Sequence, residues 1–169
     1  MQKLTTYLWL APIFVLIQIL LLNNIQFFRY INPLVYLILI ITLPQDTEKW
    51  FIILYAFFIG ILLDLFEGNM GLNSSSLVFI AFVIPYLHKF LIPRNSIDGK
   101  DKLNLQVLGL KIFSIYALSV IFLHHTFLFA LENFSINGII FLLFKVLLSS
   151  IITFIIIIIF QLFTFKVKE

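Results

Sequence analysis

Long apolar runs broken by short polar clusters set the pattern of this chain. The apolar stretches cover about 7–22, 27–44, 50–66, 72–91, 105–131 and 136–165, and polar residues gather at Asn23-Asn24, Glu67 to Ser76 and Pro93 to Lys102. Runs such as Ile151 to Phe160 lack the in/out alternation of a membrane β-strand. In lipid only helices and closed barrels satisfy their own backbone, so the runs predict helices. The expected fold is an all-α integral membrane protein: one domain over 1–169, built as a bundle of about six transmembrane helices.

The runs differ in quality. Lys3 followed by Tyr7 to Leu22 looks like a signal sequence, but Asn23 to Arg29 offers no small-residue cleavage site, so it is read as an uncleaved first span with Pro12 near its beginning. Pro33 to Leu43 is short: eleven residues rise only about 16 Å as a helix against a hydrocarbon core of about 30 Å. It crosses by borrowing Phe27, Phe28, Tyr30 and Ile31 or by continuing through Pro44, and otherwise it is re-entrant. The span opening at Trp50 ends near Phe66; the next, Leu72 to Leu91, has Asn73 or Ser74 to cap its first turn and an expected kink at Pro85. The last two spans are longer than about 20 residues and are expected to tilt or project.

Composition agrees with this picture. At 62% hydrophobic, 11% charged and a mean hydropathy of +1.13, 169 residues cannot hide their apolar surface in a water-soluble core. The absence of cysteine excludes disulfides and thiolate chemistry. The 11 basic and 8 acidic residues form no basic stripe with interleaved aromatics, so nucleic acid is not expected as a partner and membrane lipid is. With six spans, Lys3, Lys49, Lys89, Arg94, Lys100, Lys102, Lys166 and Lys168 fall on one side and Arg29 on the other. The positive-inside rule then puts both termini in the cytoplasm and the Asp64 to Asn73 hairpin outside.

Ionisable groups inside spans are costly and therefore default functional candidates. Here they are Asp64, His124, His125 and Lys145, all in the outer half by helical rise; Lys111 is close enough to a span end to snorkel. Asp64 and Glu67 lie near a helix C-terminus, where the macrodipole disfavours carboxylates. Lys145, with one of the histidines, is the expected compensating cation, making a polar cluster of Asp64, His124, His125 and Lys145. The plainer readings are that Asp64 sits at headgroup level, that Lys145 snorkels outward, and that Gly60 is a close-packing position. Adjacent histidines point about 100° apart on a helix, which disfavours a metal site from His124 and His125. No cofactor is expected.

Gly60-Ile61-Leu62-Leu63-Asp64-Leu65-Phe66, then Gly71-Leu72-Asn73, and the earlier Asn32-Pro33-Leu34-Val35-Tyr36-Leu37 together resemble the rod shape-determining MreD family. The resemblance extends to length, span number and short loops. It departs where the family's acidic residue after the proline is Leu34, and where the proline before the turn glycine is Asn69 or Met70. It implies a non-enzymatic component of the bacterial cell-elongation machinery in the inner membrane, binding MreC and working with MreB, RodA and a penicillin-binding transpeptidase to guide peptidoglycan synthesis. It also implies a fold similar to the S components of energy-coupling-factor importers, with Pro33, Gly60, Asp64, Gly71 and Asn73 as candidate partner-binding or structural positions. The runner-up is a solute-binding subunit of such an importer, which needs a polar pocket near the outer side. An intramembrane enzyme ranks third, because Asp64 is the only carboxylate inside a span.

Overall fold

A computed structural model of the chain describes residues 2–23, 31–69, 71–93, 98–99, 101–132 and 138–166, with the side chains of 2–4 and 164–166 left out. Asn24, Phe27, Phe28, Arg29, Tyr30, Met70, Arg94, Lys100, Ile136 and Lys168, which figured in the expectations above, lie outside these residues. The described chain is helical without β-strands: α1 (Gln2–Ile17), running on into a π-helical turn Gln18–Leu22, then α2 (Leu37–Ile41), α3 (Lys49–Glu67), α4 (Leu72–Leu91), α5 (Leu105–Glu132) and α6 (Ile139–Lys166). Five of these helices are long and apolar enough to cross a membrane. The protein is a multi-pass all-α membrane bundle.

Helix bounds follow local chemistry. Gly68, left-handed at φ 70°, closes α3 by giving its N–H to the carbonyl of Asp64, a conformation that glycine enters without a Cβ penalty. Gly109 (φ 72°, ψ 160°) breaks α5 near its start, in a backbone region open almost only to glycine. Pro12 stands well inside α1, not in its first turn, because the helix already begins at Gln2; it has no N–H to offer the carbonyl of Leu8. α4 runs as one helix through Pro85.

Neighbouring helices pack in the order α1, α3, α4, α5, α6. Phe14 of α1 meets Phe160 of α6 with ring centroids 5.8 Å apart, which closes the circle. What they enclose is the segment 31–43. Leu34 to Ile41 and Leu43 are all buried, several of them completely. Large apolar side chains on the outer faces, among them Trp9, Leu65, Phe90 and Phe163, stand exposed, as a lipid-facing surface requires.

The enclosed segment corrects the expected helix over 27–44. Among its described residues only Leu37–Ile41 is α-helical, and Ile31 to Leu34 are not. Even so, it runs the length of the bundle. At one end Gln18 and Pro33 meet beside the last turn of α1; at the other the Tyr7 hydroxyl and the Leu103 N–H both donate to the carbonyl of Thr42. Non-helical chain advances about 3.3 Å per residue against about 1.5 Å in a helix, so a few such residues recover the length that a short helix lacks. Pro33, which cannot donate to a helical ladder, falls in this stretch.

Non-helical backbone inside an apolar bundle needs partners from elsewhere. The Gln18 amide supplies two: Nε2 donates to the Pro33 carbonyl and Oε1 accepts from the Val35 N–H, each at 2.9 Å. From α6, Thr153 Oγ1 accepts from Leu34 N–H at 3.1 Å and Ser149 Oγ from Asn32 N–H at 3.2 Å. Replacing Gln18 by Leu is therefore expected to lower stability by about 1–3 kcal/mol for each backbone group left without a partner. Thermal unfolding of the purified chain in detergent measures this; an unchanged midpoint would show that the segment does not depend on the amide.

Candidate functional site

The polar residues of the α3–α4 hairpin converge on one carboxylate. Asp64 is buried and accepts four hydrogen bonds: Oδ1 from the Asn73 N–H (2.9 Å) and Asn73 Nδ2 (3.1 Å), Oδ2 from the Ser74 N–H (3.0 Å) and Ser74 Oγ (2.7 Å). The first amides of a helix have no intrahelical acceptor, and its N-terminus favours negative charge. Asp64 thus caps α4 from the preceding helix. The expected cap by Asn73 or Ser74 is corrected: the N-cap residue is Gly71, at φ 85°, and it has no side chain to offer.

Close approach makes the cap possible. A Cβ on Gly60 would lie 2.6 Å from the amide nitrogen of Ser74, so only glycine lets α3 and α4 pack at this distance. One turn further along α3, Asp64 then reaches the end of α4. Glu67 completes the turn, with Oε2 accepting from Asn69 Nδ2 (2.9 Å) and Asn73 Nδ2 (2.7 Å) and Oε1 from Asn23 Nδ2 (2.7 Å). That last bond ties the end of α1 to the hairpin.

The other polar candidates sit behind the hairpin and are linked to it by Tyr36. The Tyr36 hydroxyl donates to Asn73 Oδ1 at 3.2 Å, and the ring meets His124 edge-on at 5.8 Å. His124 is fully buried, and neither of its ring nitrogens has a hydrogen-bond partner among the described residues. His125, also fully buried, ends a short relay. Leu34 N–H donates to Thr153 Oγ1, Thr153 faces His125 Nε2 at 3.4 Å, and His125 Nδ1 lies 2.9 Å from the Ile121 carbonyl. Nε2 also lies 3.3 Å from the carbonyl of Asn32, so both ring nitrogens face a backbone carbonyl and the ring ties α5 to the enclosed segment.

Lys145 does not reach Asp64. Its Nζ pairs with Glu132 Oε2 at 2.7 Å and lies 4.1 Å from the centre of the Phe129 ring. Glu132 is nearer along the chain, at the far end of the helix that packs on α6, and the amides of α4 already supply the positive end that Asp64 needs. Asp64, His124, His125 and Lys145 thus form no common ion cluster. A chain of contacts runs Asp64, Asn73, Tyr36, His124, His125, with Lys145 apart on Glu132 and Phe129. No group of three or more metal-ligating side chains occurs among the described residues. Pro33 contributes its carbonyl to Gln18.

Beside this chain, at the hairpin end of the bundle, opens a pocket of about 340 Å³, within the range of small-molecule sites. Asn23, Asn32, Asn73, Glu67, Glu132 and Lys145 supply its polar wall. Gln18, Tyr36, Ser149 and Thr153, not expected as site residues, carry no charge and stand in the apolar runs as an isolated amide and isolated hydroxyls; Glu132 falls one residue beyond the expected fifth span. Comparisons with protein-family models, curated proteins and solved structures gave no match.

Asp64→Leu leaves up to four donors without an acceptor and is expected to lower stability by about 1–3 kcal/mol for each buried one. Asp64→Asn, which keeps one acceptor oxygen, should fall between. Thermal midpoints of the three proteins in detergent decide; a Leu variant as stable as the parent would show that the carboxylate does not hold the hairpin.

Proposed function

We propose that the chain is a non-enzymatic, MreD-like component of the bacterial cell-elongation machinery. It works as a membrane scaffold that binds MreC and, with MreB, RodA and a penicillin-binding transpeptidase, guides lateral peptidoglycan synthesis. In this reading it lies in the inner membrane with both termini cytoplasmic, and the α3–α4 hairpin faces outward.

The observation that carries the reading is the commitment of Asp64. The residues of the resemblance meet at the turn between α3 and α4: Asp64 bonds Asn73, Gly60 and Gly71 both lie against Ser74, and all four acceptor contacts of the carboxylate go to the start of α4. A carboxylate so engaged is suited to fixing shape rather than to chemistry on a substrate. A bundle whose centre is filled by its own chain and whose outer faces are apolar suits lateral association with other membrane helices.

One observation favours the runner-up, a solute-binding subunit of an energy-coupling-factor type importer: the polar pocket of about 340 Å³ at the hairpin end. Affinity purification of the tagged chain from gently solubilised bacterial membranes, followed by mass spectrometry, separates the two. The scaffold reading expects a single-pass coiled-coil protein together with elongation synthases. Recovery of an ATPase pair and a coupling membrane subunit would overturn it in favour of the importer.

A further inference from the structure

A second cavity, of about 310 Å³, lies at the opposite end of the bundle between α1, the enclosed segment and α6. Its wall changes character along the bundle axis. At the bundle end it carries Lys102 and Asn104; further in, it is lined by Leu10 and Phe14 of α1 and Leu39 of α2, with Gln161 of α6 next to the Phe160 that packs on Phe14. Its polar lining is Tyr7, Thr42, Lys102, Asn104 and Gln161, and the hydroxyls of Tyr7 and Thr42 already donate to backbone carbonyls. Lys102 Nζ stands 5.1 Å over the centre of the Tyr7 ring. Asn104 Oδ1 accepts from the Val107 N–H at 2.8 Å, which turns the Nδ2 end of that amide to other use. Gln161 is only 8% exposed. No carboxylate lines this cavity among the described residues, whereas Glu67 and Glu132 line the pocket at the hairpin end.

A cation and an amide donor at the end of the bundle, followed inward by hydrocarbon, match an anionic amphiphile in both chemistry and direction. We infer that this cavity is a binding site for an anionic phospholipid, with its headgroup phosphate at Lys102 and Asn104 and an acyl chain laid along Leu10, Phe14 and Leu39. A lipid of the adjacent leaflet already has this orientation, headgroup at the surface and chain toward the midplane. Basic pockets between membrane helices hold such headgroups in this way. The site is independent of the scaffold reading and does not require it.

Native mass spectrometry of the full chain in detergent, titrated with phosphatidylglycerol or phosphatidylcholine, tests the assignment. One phosphatidylglycerol is expected to be retained at least about fivefold better than phosphatidylcholine. Lys102→Gln should weaken that retention about fivefold, while Lys111→Gln, which removes a cation outside the cavity, leaves it unchanged. Leu10→Trp, filling the hydrocarbon half, should also reduce retention at an unaltered thermal midpoint. Equal retention of the two lipids, or equal effects of the two lysine substitutions, would overturn the site. Displacement of the lipid by excess inorganic phosphate would assign a simple anion site and overturn the lipid.

Discussion

A backbone amide or carbonyl that leaves the helical ladder inside an apolar bundle must find a partner from the protein itself, because lipid offers none. The structure meets that constraint at two places. In the enclosed segment the partners are Gln18, Ser149 and Thr153; at the start of α4 the partner is Asp64. The two places are joined by the Tyr36 to Asn73 hydrogen bond. Elements far apart in sequence are therefore held by a few directional contacts, while apolar packing alone would leave their register loose.

This arrangement explains why the central segment is neither a regular helix nor a surface loop. The segment turns its apolar side chains into a closed ring of five helices and takes its polar partners from two of them, α1 and α6. The Gly60 contact does the equivalent work between α3 and α4, since without the close approach Asp64 could not reach the amides that it caps. A scaffold that associates through its faces gains from both devices, because a fixed helix arrangement presents a fixed surface. The cavities at the two ends differ as well: carboxylates, amides and Lys145 line the one at the hairpin end, and Lys102 with Asn104 and Gln161 lines the other.

The all-helical membrane fold was legible because apolar runs of this length leave the backbone no other solution. Gly60 was legible as a packing position, since a small residue one turn before a buried carboxylate has few other uses. The pairing of side chains across the bundle was not. Nothing in the spacing from Asp64 to Asn73 says that a carboxylate at the end of one helix caps the next; Lys145 was the expected partner because a helix C-terminus disfavours a carboxylate, and the spacing does not show that Glu132 lies within its reach. The broken segment was half legible: its shortness was plain, but the remedy depends on Gln18, Ser149 and Thr153, which lie in two runs far apart in sequence and carry no charge.

The most direct measurement is residue-resolved amide hydrogen exchange on the chain in a lipid nanodisc. If side chains replace the missing helical partners, Leu34 and Val35 exchange slowly in the parent protein, Thr153→Val speeds Leu34 while leaving Val35 protected, and Gln18→Leu does the reverse. Fast exchange at both amides in the parent, or the same response to both substitutions, would contradict the account.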